Sequence, residues 1–324
     1  GRRDPEWDFG TNPCSEIILR PNQFCNLSEI VVRSEDTLET LKEKARIATI
    51  IGTLQSTLTD FRYLRPIWKK NTEEEALLGV SMTGIMDHKV LSGSTLGAPA
   101  LLTKWLNELK EVTIATNKRW AKGLGVNPSV AITCVKPSGT VSQLVNSASG
   151  IHPRFSDTYV RTVRADSKDP MAQYMVSAGF PYEVDVTKST TLVFSFPIKS
   201  PKGAVCTKEI GALKQLELWK VYQEHWCEHK PSITVYYTDD EFLAVCQWMW
   251  ENFDMMSGIS LLPFSDHTYQ QAPYQEITRE TYKNLVKEMP VFDWDAMATF
   301  EKEDMTTGSQ ELACVGTQCE WTGV

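Results

Sequence analysis

The sequence predicts an α/β fold with a largely parallel sheet. Short runs rich in Ile and Val alternate with longer segments that repeat apolar residues at helical spacing. At 324 residues the chain is long enough to bury a sizeable core. It contains neither a Gly-rich dinucleotide motif nor a P-loop motif. The pattern alone therefore leaves a barrel and a doubly wound sheet as alternatives.

The predicted strands are short and rich in β-branched residues. They are SEIIL at 15–19, SEIVVR at 28–33, SVAITCV at 129–135, TLVFSF at 191–196, SITVYY at 232–237 and GISLLP at 258–263. The predicted helices follow the 3.6-residue apolar period and begin at capping residues. They cover 38–58 with Ser34 and Asp36 as N-cap candidates, 99–121 with a stop near Gly123, 211–229, a segment that starts at Asp239 or Asp240, and a last one that opens at Thr278.

The composition argues against several classes of protein. The chain has 41 Asp and Glu against 33 Lys and Arg, a net charge of −8, so we expect no nucleic-acid polymer as partner. Nothing in the sequence resembles a signal peptide, and we find no run of about 18 apolar residues, so we expect no membrane partner. Eight cysteines are too few for a disulfide scaffold and predict a reducing, cytoplasmic location.

A polar triplet within GTNPCSEIIL carries the first chemical signal. Asn12, Cys14 and Glu16 alternate along the chain, and Pro13 favours an extended conformation for the residue before it. In an extended segment the three side chains would share one face. The thiol would then lie beside a general base, with an amide to orient the substrate. A buried, inert cysteine with a solvated Glu16 is the alternative interpretation.

Three further cysteines extend this pattern. Cys25 follows Cys14 by eleven positions (25 − 14), and the Pro-Asn signal in 20–23 predicts a turn that returns Cys25 toward the same face. Alternatively, Cys25 merely begins the next strand. Cys314 and Cys319 form a C-x4-C pair near the end of the chain. A mobile dithiol there suits disulfide exchange better than it suits half a zinc site.

A turn of small residues, KPSGT at 136–140, follows the predicted strand 129–135. Free backbone N–H groups at such a turn bind phosphate well, and Ser138 and Thr140 add hydroxyl donors. A plain turn is the alternative interpretation.

Together these motifs resemble those of ribonucleotide reductases. The segment Asn12-Pro13-Cys14-Ser15-Glu16 is similar to the N-x-C-x-E finger loop of that family, and Cys25 is similar to its second active-site cysteine. The loop Pro137-Ser138-Gly139-Thr140 is similar to the substrate-phosphate loop, and Cys314 with Cys319 to the C-terminal redox pair. The motifs appear in the order of the family and cover nearly the whole chain.

The short interval between Cys14 and Cys25 resembles the adenosylcobalamin-dependent class II enzymes. The segment SDHTYQQAPYQEI and the C-x4-C pair further resemble their monomeric, ribonucleoside-triphosphate branch. The resemblance implies a ten-stranded α/β barrel, built from two five-stranded halves around a central finger loop. This chain would supply the second half in residues 1–307, with the finger loop near 10–25 and a flexible redox-active tail in 308–324.

The resemblance also implies roles for the site residues. Adenosylcobalamin would generate a thiyl radical on Cys14, which would take hydrogen from C3′ of the ribonucleotide. Glu16 would act as base on the 3′-hydroxyl while Asn12 holds the substrate. Cys25 and a partner cysteine would supply reducing equivalents, and the C-terminal dithiol would restore them with thioredoxin.

Part of the family's site is missing from this chain. No cysteine precedes Cys14, so the partner thiol is absent, as is the allosteric site. The chain begins GRRDPEWDFG without methionine. We therefore expect a fragment or a processed or shortened chain that needs the N-terminal half for activity. Three alternatives remain: a diiron class I large subunit that uses Tyr236 and Tyr237, a non-catalytic assembly half, and a thiol–disulfide exchanger that uses only the tail.

The histidines give no positive signal for cobalamin or metal. The D-x-H-x-x-G motif is absent, because the Asp-His pairs at 87–88 and 266–267 are adjacent. The family cofactor keeps its own lower base, so the resemblance implies no protein histidine ligand. His225, Cys227 and His229 form H-x-C-x-H on a predicted helix, where packing is favoured over metal binding.

Overall fold

The computed structural model describes residues 2–94, 99–264 and 269–301. Its strands are β1 (Gly10–Thr11), β2 (Ile18–Leu19), β3 (Asn26–Val31), β4 (Leu78–Thr83), β5 (Thr158–Asp166), β6 (Tyr182–Val184), β7 (Thr191–Lys199), β8 (Ile233–Tyr237), β9 (Ile259–Pro263) and β10 (Tyr274–Glu276). Its helices are α1 (Leu38–Gln55), α2 (Pro66–Glu75), α3 (Pro99–Leu124), α4 (Gly139–Leu144), α5 (Pro170–Ser177), α6 (Ala212–His225), α7 (Phe242–Glu251), α8 (Arg279–Glu288) and α9 (Trp294–Met297). None of the helices in these ranges is both long and apolar enough to cross a bilayer.

The described chain divides into two compact units, a division that the sequence analysis did not include. The first contains residues up to 154 and residues 202–264, and the second contains 155–201 and the described residues beyond 264. The predicted boundary at residue 308 lies outside the described residues.

A parallel sheet organises the first unit, as the sequence predicted. β3 pairs with β4 in parallel over six residue pairs, and β8 pairs with β9 in parallel over five. Parallel bridges from Val80 to Thr133 and from Val135 to Pro231 join the two pairs. Five parallel segments therefore follow one another, and the central one, predicted as strand 129–135, is held by single bridges instead of a regular ladder.

Helices cover this sheet and enclose an apolar core. Two aromatic residues of α6 and the tryptophan that follows the helix are fully buried. The polar atom of each side chain donates a hydrogen bond to a backbone carbonyl. Trp219 Nε1 donates to Pro231 O at 2.8 Å, Tyr222 Oη to Leu91 O at 3.0 Å, and Trp226 Nε1 to Cys134 O at 2.8 Å. Large aromatic rings thus pack without an unsatisfied donor, and they fix α6 against the central sheet segments.

Several helix ends differ from the prediction: α1 ends at Gln55 instead of 58, and α7 begins at Phe242 instead of Asp239 or Asp240. The N-cap of α1 is Thr37, not Ser34 or Asp36, because Thr37 has extended backbone angles and its Oγ1 accepts from the N–H of Thr40. Thr40 Oγ1 in turn accepts from the N–H of Thr37, which completes a capping box. α6 ends at His225 instead of 229, because the chain leaves the helix to join the sheet at 231. α8 begins after an N-cap at Thr278, as predicted.

The second unit contradicts the expectation of a largely parallel sheet. Its four strands are ordered β10-β5-β7-β6, and all three pairings are antiparallel. The predicted strand at 191–196 belongs to β7, which pairs with β5 over nine residues. The loop from β6 to β7 is only six residues long (185–190), too short for a parallel crossover, which needs a dozen residues or more.

Candidate active site

The segment with Asn12, Cys14 and Glu16 is a tight loop, so the predicted extended geometry was wrong. β1 and β2 pair antiparallel on either side of it. The N–H of Ser15 donates to Asn12 O at 2.9 Å, and Ser15 has a left-handed φ of 64°. The side chain of Asn12 closes the loop, because its Oδ1 accepts from the N–H of Ile17 at 3.0 Å.

This loop still brings the amide and the carboxylate together. Asn12 Nδ2 donates to Glu16 Oε1 at 2.8 Å across the loop, and Cys14 lies half-buried between them in sequence. The predicted proximity of these side chains thus comes from loop closure and not from a shared strand face.

Glu16 is fully buried and its two oxygens differ. Oε1 accepts from Asn12 Nδ2 and also from Lys136 Nζ at 2.9 Å. Oε2 is buried and has no hydrogen-bond partner among the described residues. A buried carboxylate oxygen without a donor is costly, which makes it an acceptor suited to a ligand hydroxyl. A general base would need such an unpartnered oxygen to accept a proton.

Lys136 contacts the site from the central sheet segment. Burial by itself would lower the pKa of Lys136, but the hydrogen bond to Glu16 and its charge, together with Cys14, raise that pKa above its ordinary value. The ammonium is therefore retained beside the carboxylate and the thiol.

The buried side chain of His229 holds the end of the loop that contains Glu16. His229 Nδ1 accepts from the N–H of Ile18 at 3.4 Å, which assigns the ring proton to Nε2, 2.9 Å from Leu78 O. Burial lowers the pKa of His229 to about 4, so the ring is neutral at pH 7. The next residue adds a backbone bond, from the N–H of Lys230 to Glu16 O at 3.0 Å. These bonds tie the backbone of Glu16 and Ile18 to the segment 229–230.

Cys25 lies immediately before β3 and close to the loop. Its Sγ is 3.4 Å from where a Cβ on Gly79 would stand, and Ile17 Cδ1 is 2.9 Å from the same point. Glycine at 79 therefore leaves the space that these two side chains use. Burial, followed by the charge of Glu16, raises the pKa of the Cys25 thiol well above its ordinary value. The predicted turn at 20–23 is present, with Asn22 at φ 57°.

A second thiol lies near Cys25. Cys134 is fully buried in the central sheet segment. Burial raises the pKa of Cys134, and the charges of Cys227, Cys25 and Glu16 raise it further. Both thiols stay protonated at neutral pH in the absence of a reaction partner.

The small-residue loop 137–140 leads into α4. The N–H of Ser138 donates to Ser149 Oγ at 3.0 Å, and its hydroxyl donates to Glu29 Oε2 at 2.8 Å. Gly139 and Thr140 are exposed at the first turn of the helix. Burial raises the pKa of Glu29, against the opposing influence of Ser138 and Lys136. The loop is thus held from inside while its outer edge is open to a ligand.

Other predicted features are not brought to this site. His225 ends α6 and is not joined to His229, and the described residues contain no cluster of metal-binding side chains. Tyr236 and Tyr237 are neighbours in β8, where Tyr237 packs against the core. Cys314 and Cys319 lie outside the described residues.

Sequence analysis did not assign a role to Lys136, Glu29 or Cys134, and it gave His229 only a packing role. The signal for Lys136 was its place immediately before the small-residue turn. Its partner Glu16 is 120 positions away in sequence, a contact that no local pattern reveals.

The fold is that of the ribonucleotide reductases. The structure is similar to a crystal structure of a B12-dependent (class II) ribonucleotide reductase, with a TM-score of 0.78 and 24% identity over 90% of this chain and 44% of that one. A class Id ribonucleotide reductase alpha subunit from Actinobacillus ureae gives a TM-score of 0.53 at 14% identity, over 79% of this chain and 53% of that one. The class II likeness is the stronger of the two.

In sequence the chain is similar to the adenosylcobalamin-dependent ribonucleoside-triphosphate reductases. It is 27% identical to the enzyme of Lactobacillus acidophilus over 96% of this chain and 44% of the relative. It is 29% identical to a probable enzyme of this kind from Dictyostelium discoideum, over 89% and 38%. No family model matches the chain. These similarities confirm the resemblance drawn from the motifs, and the chain spans less than half the length of these relatives.

Proposed function

We propose that this chain supplies the radical-site half of an adenosylcobalamin-dependent ribonucleotide reductase, acting on ribonucleoside triphosphates. The observation that carries the proposal is the loop at residues 12–16. It holds an amide and a carboxylate 2.8 Å apart around a half-buried thiol, and leaves one carboxylate oxygen buried and unpartnered. The relatives named for this activity support the same assignment.

Three residues of the loop have a role in this proposal. Cys14 carries the radical and takes the hydrogen atom from C3′ of the ribose. Glu16 Oε2 accepts the proton of the 3′-hydroxyl, so that the O–H bond of the substrate breaks as a new one forms on the carboxylate. Asn12 fixes Glu16 and contacts the substrate. When bound, adenosylcobalamin supplies the organic radical that oxidises the thiol.

The histidines are compatible with a cofactor that needs no protein ligand. His88, His152 and His229 each use both ring nitrogens on backbone groups. Using any of them as a metal ligand would require breaking one of these bonds.

Cys25 supplies one of the two reducing thiols. Its high pKa keeps the sulfur protonated, which suits a group that must deliver hydrogen to the substrate. The partner thiol belongs to the N-terminal half that this chain needs. Cys314 and Cys319 then reduce the resulting disulfide by exchange and are reset by thioredoxin in the cytoplasm.

The five parallel segments of the first unit support the assignment as half of a ten-stranded barrel. The loop Pro137-Ser138-Gly139-Thr140 begins at the end of the central segment and is assigned to the substrate phosphates. The carboxyl ends of parallel strands are where such ligands bind in α/β folds.

The test is reconstitution. The chain is assayed for deoxyribonucleotide formation with adenosylcobalamin and thioredoxin, with and without a separately produced N-terminal half from a relative. We expect turnover only when both halves are present. Cys14→Ser should abolish it, whereas Cys246→Ser, an exposed thiol on α7, should not. Turnover that survives Cys14→Ser would favour a non-catalytic assembly half, and turnover by the chain alone would refute the need for a second half.

A further inference from the structure

Lys136 lies where the two motifs of the site meet. Its backbone precedes the small-residue loop, and its N–H donates to Ser81 Oγ on β4 at 2.9 Å. Its side chain extends to the finger loop and donates to Glu16 Oε1 at 2.9 Å. One residue thus connects the predicted phosphate loop to the predicted base.

The hydrogen bonds on Glu16 are one-sided. Oε1 accepts from both Asn12 Nδ2 and Lys136 Nζ, and Oε2 accepts from no described residue. Rotating the carboxyl group would break two charge-assisted bonds, which are about twice as strong as neutral ones. The two donors therefore fix which oxygen is presented to a ligand.

The charge of Lys136 also explains how a carboxylate can be buried here. Glu16 is fully buried, whereas the side chain of Lys136 is 32% exposed. The other titratable groups that act on this cluster are the thiols of Cys14, Cys25 and Cys134, the carboxyl of Glu29, and the guanidinium of Arg3, whose charge acts on Cys25. Lys136 is the cation that bonds directly to the side chain of Glu16, and a buried carboxylate without such a partner would be strongly disfavoured.

We infer that Lys136 is a positioning residue for the reaction proposed above, fixing the carboxyl group of Glu16 so that Oε2 is turned toward the ligand hydroxyl. The inference rests on the proposed function. The competing role, a direct contact between Lys136 and a substrate phosphate, would use the same ammonium, but its loss would weaken substrate binding and not the chemical step.

The first experiment tests the pairing without catalysis. The titration of the Lys136 ammonium is followed by NMR in the full chain and in Glu16→Gln. We expect the pKa of Lys136 to fall in the variant, because the hydrogen bond and charge that raise it are lost while the burial that lowers it remains. Asp36→Asn is the matched control, since it removes the carboxylate partner of Lys44 and should leave Lys136 unchanged. An unchanged pKa in Glu16→Gln would overturn the inference.

The second experiment separates positioning from phosphate binding. In the reconstituted enzyme, Lys136→Met should lower kcat by about 10- to 100-fold with little change in KM, part of the loss expected when a general base is misplaced. Lys136→Arg, which keeps the charge, should recover part of the rate, and Lys44→Met should have no effect. A raised KM at constant kcat would assign Lys136 to the phosphate and overturn the inference, as would full activity in Lys136→Met. If the enzyme reconstituted from the unaltered chain and the N-terminal half shows no turnover, the proposed function fails. The NMR titration still decides whether Lys136 and Glu16 are paired.

Discussion

At the scale of single residues, Asn12 has two functions in one side chain. Its Oδ1 accepts from the N–H of Ile17 and closes the loop, while its Nδ2 donates to Glu16 Oε1. Loop shape and carboxylate orientation therefore depend on the same amide. An aspartate at this position would keep the first bond and lose the second.

Asn12→Asp should consequently separate folding from chemistry. The new carboxylate would repel Glu16 and leave Oε1 with one donor fewer, so we expect kcat/KM in the reconstituted enzyme to fall about 100-fold. The melting temperature should change far less, because the bond to Ile17 is retained. Asn22→Asp, in the turn at 20–23, is the control. Equal effects at the two positions would contradict the role of Asn12.

His229 predicts a dependence of stability on pH. Its pKa is lowered from 6.5 to about 4 in the folded chain, so the unfolded state binds a proton first as the pH falls. The stabilising contribution is complete above pH 6.5 and is lost as the pH falls toward 4, with a total of about 3 kcal/mol.

In His229→Gln, denaturant unfolding should show a flatter profile between pH 6.5 and pH 4 than in the unaltered chain. His225→Gln, at the C-terminal end of α6, is the matched control. A slope that is the same in both variants would show that His229 does not titrate in this way.

Parts of the site formed by residues close together in sequence could be predicted, whereas contacts between residues far apart in sequence could not. The motif Asn12, Cys14 and Glu16 is local and could be found from the sequence, although its geometry is a closed loop instead of a strand. Pro13 led us to expect an extended segment. The hydrogen bond from the N–H of Ile17 to Asn12 Oδ1 closes the segment into a loop instead. Lys136 could not be placed, because its contact with Glu16 depends on how distant sheet segments pair.

At the scale of elements, a buried ion pair fixes the backbone that follows α4. Arg154 and Asp87 form two hydrogen bonds of 2.7 and 2.8 Å, and both are almost fully buried. Asp87 also accepts from the N–H of Ala148, and Arg154 donates to Asn146 O. The segment 146–148 is thereby held from both sides, and Ser149 beside it accepts from the N–H of Ser138.

Asp87→Asn should destabilise the first unit by about 3–5 kcal/mol, because it leaves Arg154 buried without its counter-charge. Denaturant unfolding measures this change. Asp60→Asn breaks an exposed pair with Arg62 and should cost less than about 1 kcal/mol. Similar losses in the two variants would show that burial does not set the strength of the Asp87 pair.

Part of the first unit was predictable, since β3, β8 and β9 lie in the predicted strand runs and α1, α3 and α6 show the 3.6-residue period, whereas β4 and α2 were not predicted. The antiparallel sheet of the second unit was not predicted either. β5 runs from Thr158 to Asp166 with Arg161 and Arg164 among its apolar residues, so it carries no continuous hydrophobic signal. Strand direction follows from pairing between distant segments, which the local pattern does not encode.

At the scale of the whole molecule, the proposed reaction needs groups from distant parts of the chain. The finger loop lies near residue 14, the phosphate loop near 138 and the C-terminal dithiol beyond 310. The first two belong to the first unit. In the proposed function, the dithiol would act through the chain that tethers it, which would raise its local concentration.

The double variant Cys314→Ser, Cys319→Ser should therefore lose the re-reduction of the active-site disulfide and keep the reduction of the first nucleotide. In the reconstituted, pre-reduced enzyme we expect a single round of product followed by arrest in the presence of thioredoxin. A small dithiol reductant should restore turnover because it can enter the site directly. Continued turnover with thioredoxin in the double variant would exclude this role for the tail.

The way the second unit interrupts the first has a consequence for synthesis on the ribosome. β4 ends at residue 83, but its sheet gains β8 and β9 only after the 47 residues 155–201 have been made. At roughly 5–20 residues per second, the 180 residues from 83 to 263 take about 10 to 40 seconds to emerge. Throughout that interval the nascent sheet has an unpaired edge, so we expect it to be open to pairing with strands of other chains.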